Sequence, residues 1–408
     1  MTLPAAAAPA EPPDLRLLAP AVAVWATAVA AVALPATTAC WLGGTLAVGA
    51  VVLALTGRRW RAVLAATLIC AAAVAASAGV RTAARRAGPL PVLAQRQARV
   101  TAELVLTSDP VQLDGRVVGA RRVDGSVFAR ARLERIESGG TAWQLRQPVV
   151  VFASGGGWAE RLPGDRIAVA ATIGPADSSN QAATLTVRGP PRLIRRTSLL
   201  GRVAGRLRAG LRTACSRLPQ KTGGLLPGLV DGDTAALDPQ LKADFQRTGM
   251  THLVAVSGSN IGFILAAALL LARRIGLGPR TAAVAAGVAL AMFVVLVRPS
   301  PSVLRAAFMG AIGLFATVTG RERRALSSLF AAVLVLVLFE PSLARSIGFA
   351  LSTFATLGLL VLAPEFRLRL ARWLPGWLAD AVAVPLAAQL ACTPLIAAMS
   401  GAVSLSAV

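Results

Sequence analysis

Long apolar runs alternating with short arginine-rich segments dominate this chain, and that pattern leaves few folds open. The runs fall at about 17–36, 41–56 and 62–80, and again at about 253–272, 281–297, 303–319, 325–339, 343–363 and 377–398. In hydrocarbon every backbone N–H and C=O must be paired within the protein, so such runs are expected to be helices crossing a bilayer. With 55% hydrophobic and 15% charged residues, a soluble globule is excluded. Arg58, Arg59 and Arg61 fill one connection, Arg273, Arg274 and Arg280 another. Arg321, Arg323 and Arg324 fill a third, and Arg367, Arg369 and Arg372 a fourth. Basic loops stay in the cytoplasm, so every second connection is assigned there. The run at 41–56 is short for a span of about 20 residues, which suggests a tilted or partly re-entrant segment. Arg16 followed by apolar residues reads as the start of a retained first span rather than a cleaved signal.

Residues 95–196 change character, with short Val/Thr/Arg runs at 100–106, 126–136, 147–152, 166–173 and 183–188. Asp114-Gly115, Asp124-Gly125, Gly155-Gly156-Gly157 and Gly174-Pro175 separate them as turns. Five short strands in so small a region suggest an antiparallel barrel of the OB type, placed outside the cytoplasm by the loop charges. This region carries 15 Arg against 9 Asp and Glu. Phe128, Trp143, Phe152 and Trp158 are either core residues or platforms for unpaired bases.

Residues 199–218 place Leu200, Val203, Leu207, Leu211, Cys215 and Leu218 on one helical face. Arg202, Arg206, Arg208, Arg212 and Arg217 occupy the rest. A basic amphipathic helix beside membrane spans fits the interface, with anionic lipid as partner, although it also suits nucleic-acid phosphates. The net charge of +23 acts on both kinds of polyanion. Cys40, Cys70, Cys215 and Cys392 lie far apart, with neither metal nor redox spacing.

The densest polar information lies between that helix and the next span. Residues 228–262 hold Asp231, Asp233, Asp238, Asp244, the single histidine His252, and the tetrad Ser257-Gly258-Ser259-Asn260. Polar groups entering a bilayer are expensive and usually line a cavity or path. Gly258 and Gly262 suit a broken or closely packed helix of the kind that lines transport routes. The plainer possibility is a loop ending in a helix cap at Ser257 or Ser259. Arg305 stands in an apolar run, where it either contacts a phosphate or pairs with an acid such as Asp233.

Four blocks in order resemble the competence family of ComEC-type channels. The first is Gly232-Asp233, Phe245, Gly249, His252-Leu253 and Ser257-Gly258. The second is Pro301-Ser302-Val303-Leu304-Arg305-Ala306, and the third runs from Gly348-Phe349-Ala350-Leu351-Ser352 to Gly358. The fourth is Ala388-Gln389-Leu390-Ala391 followed by Thr393-Pro394. Asn260 stands where many members carry His, and Ala350 where many carry Gln. The resemblance covers 222–408, and residues 1–196 fit the family in layout only. It divides the chain into spans at 1–94, an OB-like domain at 95–196, an interfacial helix at 197–221 and a competence-type channel domain at 222–408. That last domain looks truncated, since the family normally continues with more spans.

The resemblance implies a multi-pass protein of the bacterial cytoplasmic membrane that passes single-stranded DNA inward. A cytoplasmic ATPase and DNA-receptor competence proteins are the partners it implies. His252, Ser257, Gly258, Ser259, Asn260, Ser302, Arg305 and Gln389 would then line the path. Gly232, Asp233, Phe245, Gly249 and Pro301 would be structural, with Asp233 capping a helix or pairing with arginine rather than touching DNA. No Walker A motif is present, so the chain is not expected to drive transport with ATP. Longer family members carry a metallo-hydrolase domain, but a binuclear zinc site needs several His, and this chain has one. No enzyme activity, metal or cofactor is therefore expected. An intramembrane serine hydrolase built on Ser257 and an ion or solute transporter are the rival assignments.

Overall fold

The computed structural model describes residues 15–55, 59–113, 117–118, 121–122, 126–176, 181–247, 258–320 and 324–400. Helices α1 (Leu18–Ala33), α2 (Ala36–Leu55) and α3 (Arg59–Arg86) lead through the short α4 (Leu90–Gln95) into a β region. Its strands are β1 (Arg99–Leu106), β2 (Val111–Leu113), β3 (Val117–Val118), β4 (Arg121–Arg122), β5 (Ser126–Ser138) and β6 (Thr141–Ser154). They continue with β7 (Arg166–Gly174), β8 (Ala183–Arg188) and β9 (Arg192–Arg195). Helices α5 (Leu199–Cys215), α6 (Gln220–Asp231) and α7 (Pro239–Arg247) then connect to α8 (Gly258–Arg274), α9 (Pro279–Val297) and α10 (Pro301–Thr319). Next come α11 (Ala325–Phe339), a 3-10 turn at Pro341–Arg345, α12 (Ile347–Leu370) and α13 (Gly376–Ser400).

Among the described residues six helices are long and apolar enough to cross a bilayer: α2, α3, α9, α10, α12 and α13. Helices α1, α8 and α11 have 16, 17 and 15 residues. At 1.5 Å per residue they reach only about 22–26 Å. Helix α2 begins five residues before its apolar run, because Pro35 starts it and the Thr38 hydroxyl donates to the Pro35 carbonyl at 2.8 Å. Its 20 residues are long enough to cross, so the length itself requires neither the tilt nor the re-entrant geometry suggested by the shorter apolar run. Small residues set how closely α2 and α3 approach. A β-carbon at Gly43 would lie 3.1 Å from the Ala72 carbonyl oxygen, and one at Gly79 only 2.7 Å from Cys40 Sγ. Helices α1 and α3 pack on α11 and α12 through Val24, Val74, Val333, Leu336 and Phe349. The Trp25 indole donates to the Ala344 carbonyl at 3.0 Å, satisfying an acceptor at the 3-10 turn.

The β region is a mixed sheet, which corrects the all-antiparallel expectation. β1 pairs antiparallel with both β5 and β7, β5 with β6, and β7 with β8, but β6 and β8 run parallel. The connection Gly155–Asp165 carries the chain from β6 across to β7 beside β1, so β8 returns along β6 in the same direction. Alternate residues face inward, and Leu104, Leu133, Ile136, Ile167, Ile173 and Leu185 are fully buried. Trp158 is buried with them and donates to the Gly189 carbonyl at 3.1 Å, so it is core and offers no platform. Phe128 and Phe152 sit opposite each other on the outer face of β5 and β6, centroids 5.6 Å apart. The β5–β6 turn uses Gly139 and Gly140, both at positive φ, the pattern of a two-residue hairpin.

One end of the helical bundle carries the β region. Gln147 of β6 is buried and donates to the Ala84 carbonyl of α3 at 2.7 Å. At that same end Arg81 of α3 pairs with Glu340 after α11 at 2.7 Å. The C-terminus of α9 and the N-termini of α8, α10 and α12 lie there too, as the contacts below establish. The described arginine-rich turns at Arg273–Arg280 and Arg367–Arg372 are at the other end of the short-looped hairpins.

Candidate functional site

Arg305 is the centre of the site. It lies in the second turn of α10, which Ser300 caps by accepting from the Val303 N–H at 3.4 Å, with Pro301 at the first helical position. The side chain is 4% exposed. Its Nε and Nη2 donate to Ser352 Oγ on α12 at 3.1 and 2.6 Å, and Nη1 reaches the Met309 sulfur at 3.4 Å. No carboxylate among the described residues pairs with it. A β-carbon on Gly258, the first residue of α8, would lie 3.8 Å from Nη2 and 3.5 Å from Ala306 Cβ. The starts of α8, α10 and α12 therefore converge on one guanidinium. None of the three helices has an acidic residue in its first turn. Their partial positive ends add to the arginine, and the result is a local field that favours anions.

The remaining predicted residues divide. Asn260 donates from Nδ2 to the Leu229 carbonyl at 3.2 Å, tying the start of α8 to α6. Ser259 is exposed beside it. Ser302 is half-buried, its hydroxyl 3.1 Å from that of Ser300. Gln389 is half-buried on α13, which packs on α12, and its backbone carbonyl accepts from Thr393 at 2.8 Å. Phe245 is half-buried on α7. Gly249, His252 and Ser257 lie outside the described residues. The contacts thus join Gly258 and Arg305, and add Ser352, which sequence reasoning quoted in a motif without giving it a role.

A second cluster stands between the β region and the bundle. Arg208 of α5 is 6% exposed and lies 3.7 Å from Asp231, 3.8 Å from Asp233 and 3.7 Å from Asp109. It also donates to the carbonyls of Asp231 at 2.7 Å and Leu296 at 3.2 Å, at the C-terminal ends of α6 and α9, where a cation is favoured. Arg212 joins Asp233 at 3.3 Å. Arg298 grips Asp109 with two parallel bonds of 3.2 Å each. Gly232 caps α6 at φ 74°, a left-handed conformation that only glycine adopts freely, and Asp233 accepts from the Ala235 N–H at 3.1 Å. Asp233 therefore pairs with Arg208 and Arg212, not with Arg305. Burial raises the Asp231 carboxyl above its ordinary value, against the opposing pull of Arg208.

Arg298 is the unusual member. Its backbone is at φ 68°, ψ 140°, a region costly for any side-chain-bearing residue. Such a conformation costs of order 1–3 kcal/mol. A glycine there would be free of strain, so the position is held for what the guanidinium grips. Sequence reasoning missed this cluster because Arg208 reads as one of five arginines on an amphipathic helix. The available signal was the spacing of Gly201, Ala204, Gly205 and Arg208, all buried on one face of α5. Leu199, Leu200, Val203 and Leu207 remain exposed on another.

Residues 229–408 match the family model described as Competence protein. Over 152 residues the chain is 28% identical to ComE operon protein 3 of Bacillus subtilis (strain 168). That stretch is 37% of this chain and 20% of the relative, so the match spans about a fifth of the relative's length. No solved structure matches the chain.

Proposed function

We propose that this chain, whose residues 229–408 match the family model described as Competence protein, passes single-stranded DNA inward across the cytoplasmic membrane. The observation that carries this is Arg305, a buried cation that no carboxylate among the described residues pairs, at the convergence of three helix starts. Intramembrane charges are rare, pair with one another or with backbone carbonyls, and mark substrate and ion paths, and a guanidinium held by a hydroxyl and a thioether keeps its charge available to an anion. Phosphodiesters are the anions that the competence family points to. A small anion transporter would use the same field.

The β region fits an OB-like barrel on the outer side. The pairing path β1–β5–β6–β8–β7 returns to β1, and the outward Phe128–Phe152 pair is suited to stacking on bases. The exposed leucine face of α5 fits the outer headgroup layer, with Gly201 and Gly205 pressed on Thr197 and Leu162 of the β region. A cytoplasmic ATPase would draw the strand inward, and a receptor would deliver it to the β region. In a cysteine-free background, Thr141→Cys at the exposed β5–β6 hairpin is expected to label in intact cells. Arg280→Cys is expected to label only after permeabilisation, and the reverse pattern would invert the topology. Passage itself is tested by labelled-DNA uptake with Arg305→Ala, argued in the Discussion.

A further inference from the structure

We propose that Arg298, backed by Arg208, is a phosphodiester-binding site at the mouth of the bundle, and that the Asp109 carboxylate occupies it until a DNA phosphate takes its place. This deepens the DNA-passing role above and rests on it. Two parallel N–H bonds from one guanidinium recognise a carboxylate and a phosphodiester by the same geometry. Arg298 makes that fork to Asp109 Oδ1 and Oδ2 at 3.2 Å, and Arg208 Nη2 stands 3.7 Å behind Oδ2. The fork is reachable, since the side chains of Arg298 and Asp109 are 19% and 34% exposed. That opening lets a competing anion approach the fork from solvent.

Position gives the exchange a use. Asp109 lies in the loop between β1 and β2 of the β region, and Arg298 precedes the Ser300 cap and the turn that carries Arg305. A strand handed from the β region to Arg305 meets Arg298 at that junction. The loop is pinned on one side, where the Thr107 and Ser108 N–H groups donate to the Arg130 carbonyl, and on the other where Val111 pairs with Phe128. Only the Asp109 side chain has to turn away. Among the described residues the cluster balances Arg208, Arg212 and Arg298 against Asp109, Asp231 and Asp233. Release of Asp109 leaves one positive charge for the incoming phosphate. The strained backbone at Arg298 is consistent with a side chain held in place for a ligand.

The test uses the full chain in phosphatidylcholine nanodiscs, with a short fluorescent oligothymidylate and with tripolyphosphate as probes. Asp109→Asn is expected to tighten oligothymidylate binding about tenfold and steepen the slope of log K against log salt by about 0.7. In an Arg298→Gln background the same substitution is expected to give no such gain. No gain with either probe, or a gain that survives Arg298→Gln, overturns the site. An Arg298-dependent gain for tripolyphosphate, with no oligothymidylate bound to any variant, upholds the site and overturns the DNA role. If Asp109→Asn does not yield folded protein, Arg298→Lys, which keeps the charge but loses the two-point fork, is compared with the unmodified chain. Weaker binding of tripolyphosphate to Arg298→Lys is expected, and unchanged binding overturns the proposal.

Discussion

Arg305→Ala is expected to reduce labelled-DNA uptake by at least about 100-fold while membrane levels of the protein stay near normal. A unit charge about 4 Å from a phosphate contributes about 4 kcal/mol at an effective dielectric near 20. Loss of even most of that raises the barrier to passage by two or more decades. Folding should tolerate the change for a reason visible in the contacts. Among the described residues the partners of Arg305 are the Ser352 hydroxyl and the Met309 sulfur, so its removal strands no opposite charge there. Ser352 is then free to donate within its own helix, as Thr353 and Thr356 already do. Arg305→Lys keeps the charge but loses the two-point grip on Ser352, and an intermediate uptake is expected. Quantitative immunoblotting beside uptake separates the outcomes: if the protein vanishes from the membrane, Arg305 is structural.

Arg208→Ala is expected to do the opposite, removing folded protein before any question of passage arises. Asp231 is 2% and Asp233 9% exposed, and both would lose a cation within 4 Å. Breaking a buried pair from one side costs about 3–5 kcal/mol, a large part of a typical folding free energy. Two helix C-termini lose a donor as well. The damage has a pH signature. The Asp231 carboxyl already stands above its ordinary 3.8, so the fold binds more protons than the unfolded chain between 3.8 and the raised value. Stability therefore falls as pH rises through that window. Without Arg208 the window widens upward, and the defect should be smaller at pH 5 than at pH 8. Thermal unfolding of the detergent-purified chain at the two values checks the sign. An equal loss at both would mean that the Asp231 charge is not what Arg208 holds.

The contrast between these two arginines marks what was legible in the sequence. The apolar helices were legible because lipid imposes one solution on a long apolar run, and the strands because alternate burial leaves a period of two. The parallel β6–β8 pair was not, since strand direction depends on where a connection crosses rather than on local pattern. Trp158 and Phe128 are both aromatic residues in a basic region, yet one is core and one faces out, a difference set by register. Arg305 stood out in an apolar run, whereas its partner Ser352 lies 47 residues away and became visible only when α10 met α12. Asp109, Arg208 and Arg298 come from three distant segments, each unremarkable alone.

Photo-cross-linking in cells taking up DNA tests the central claim most directly. A photoreactive residue at Ser259, exposed at the start of α8 beside Gly258, is compared with one at Val51, exposed on α2. If single-stranded DNA passes the convergence of α8, α10 and α12, irradiation yields a DNA adduct at position 259 and none at 51. Uptake that continues with no adduct at 259, or with equal adducts at both positions, would contradict the account.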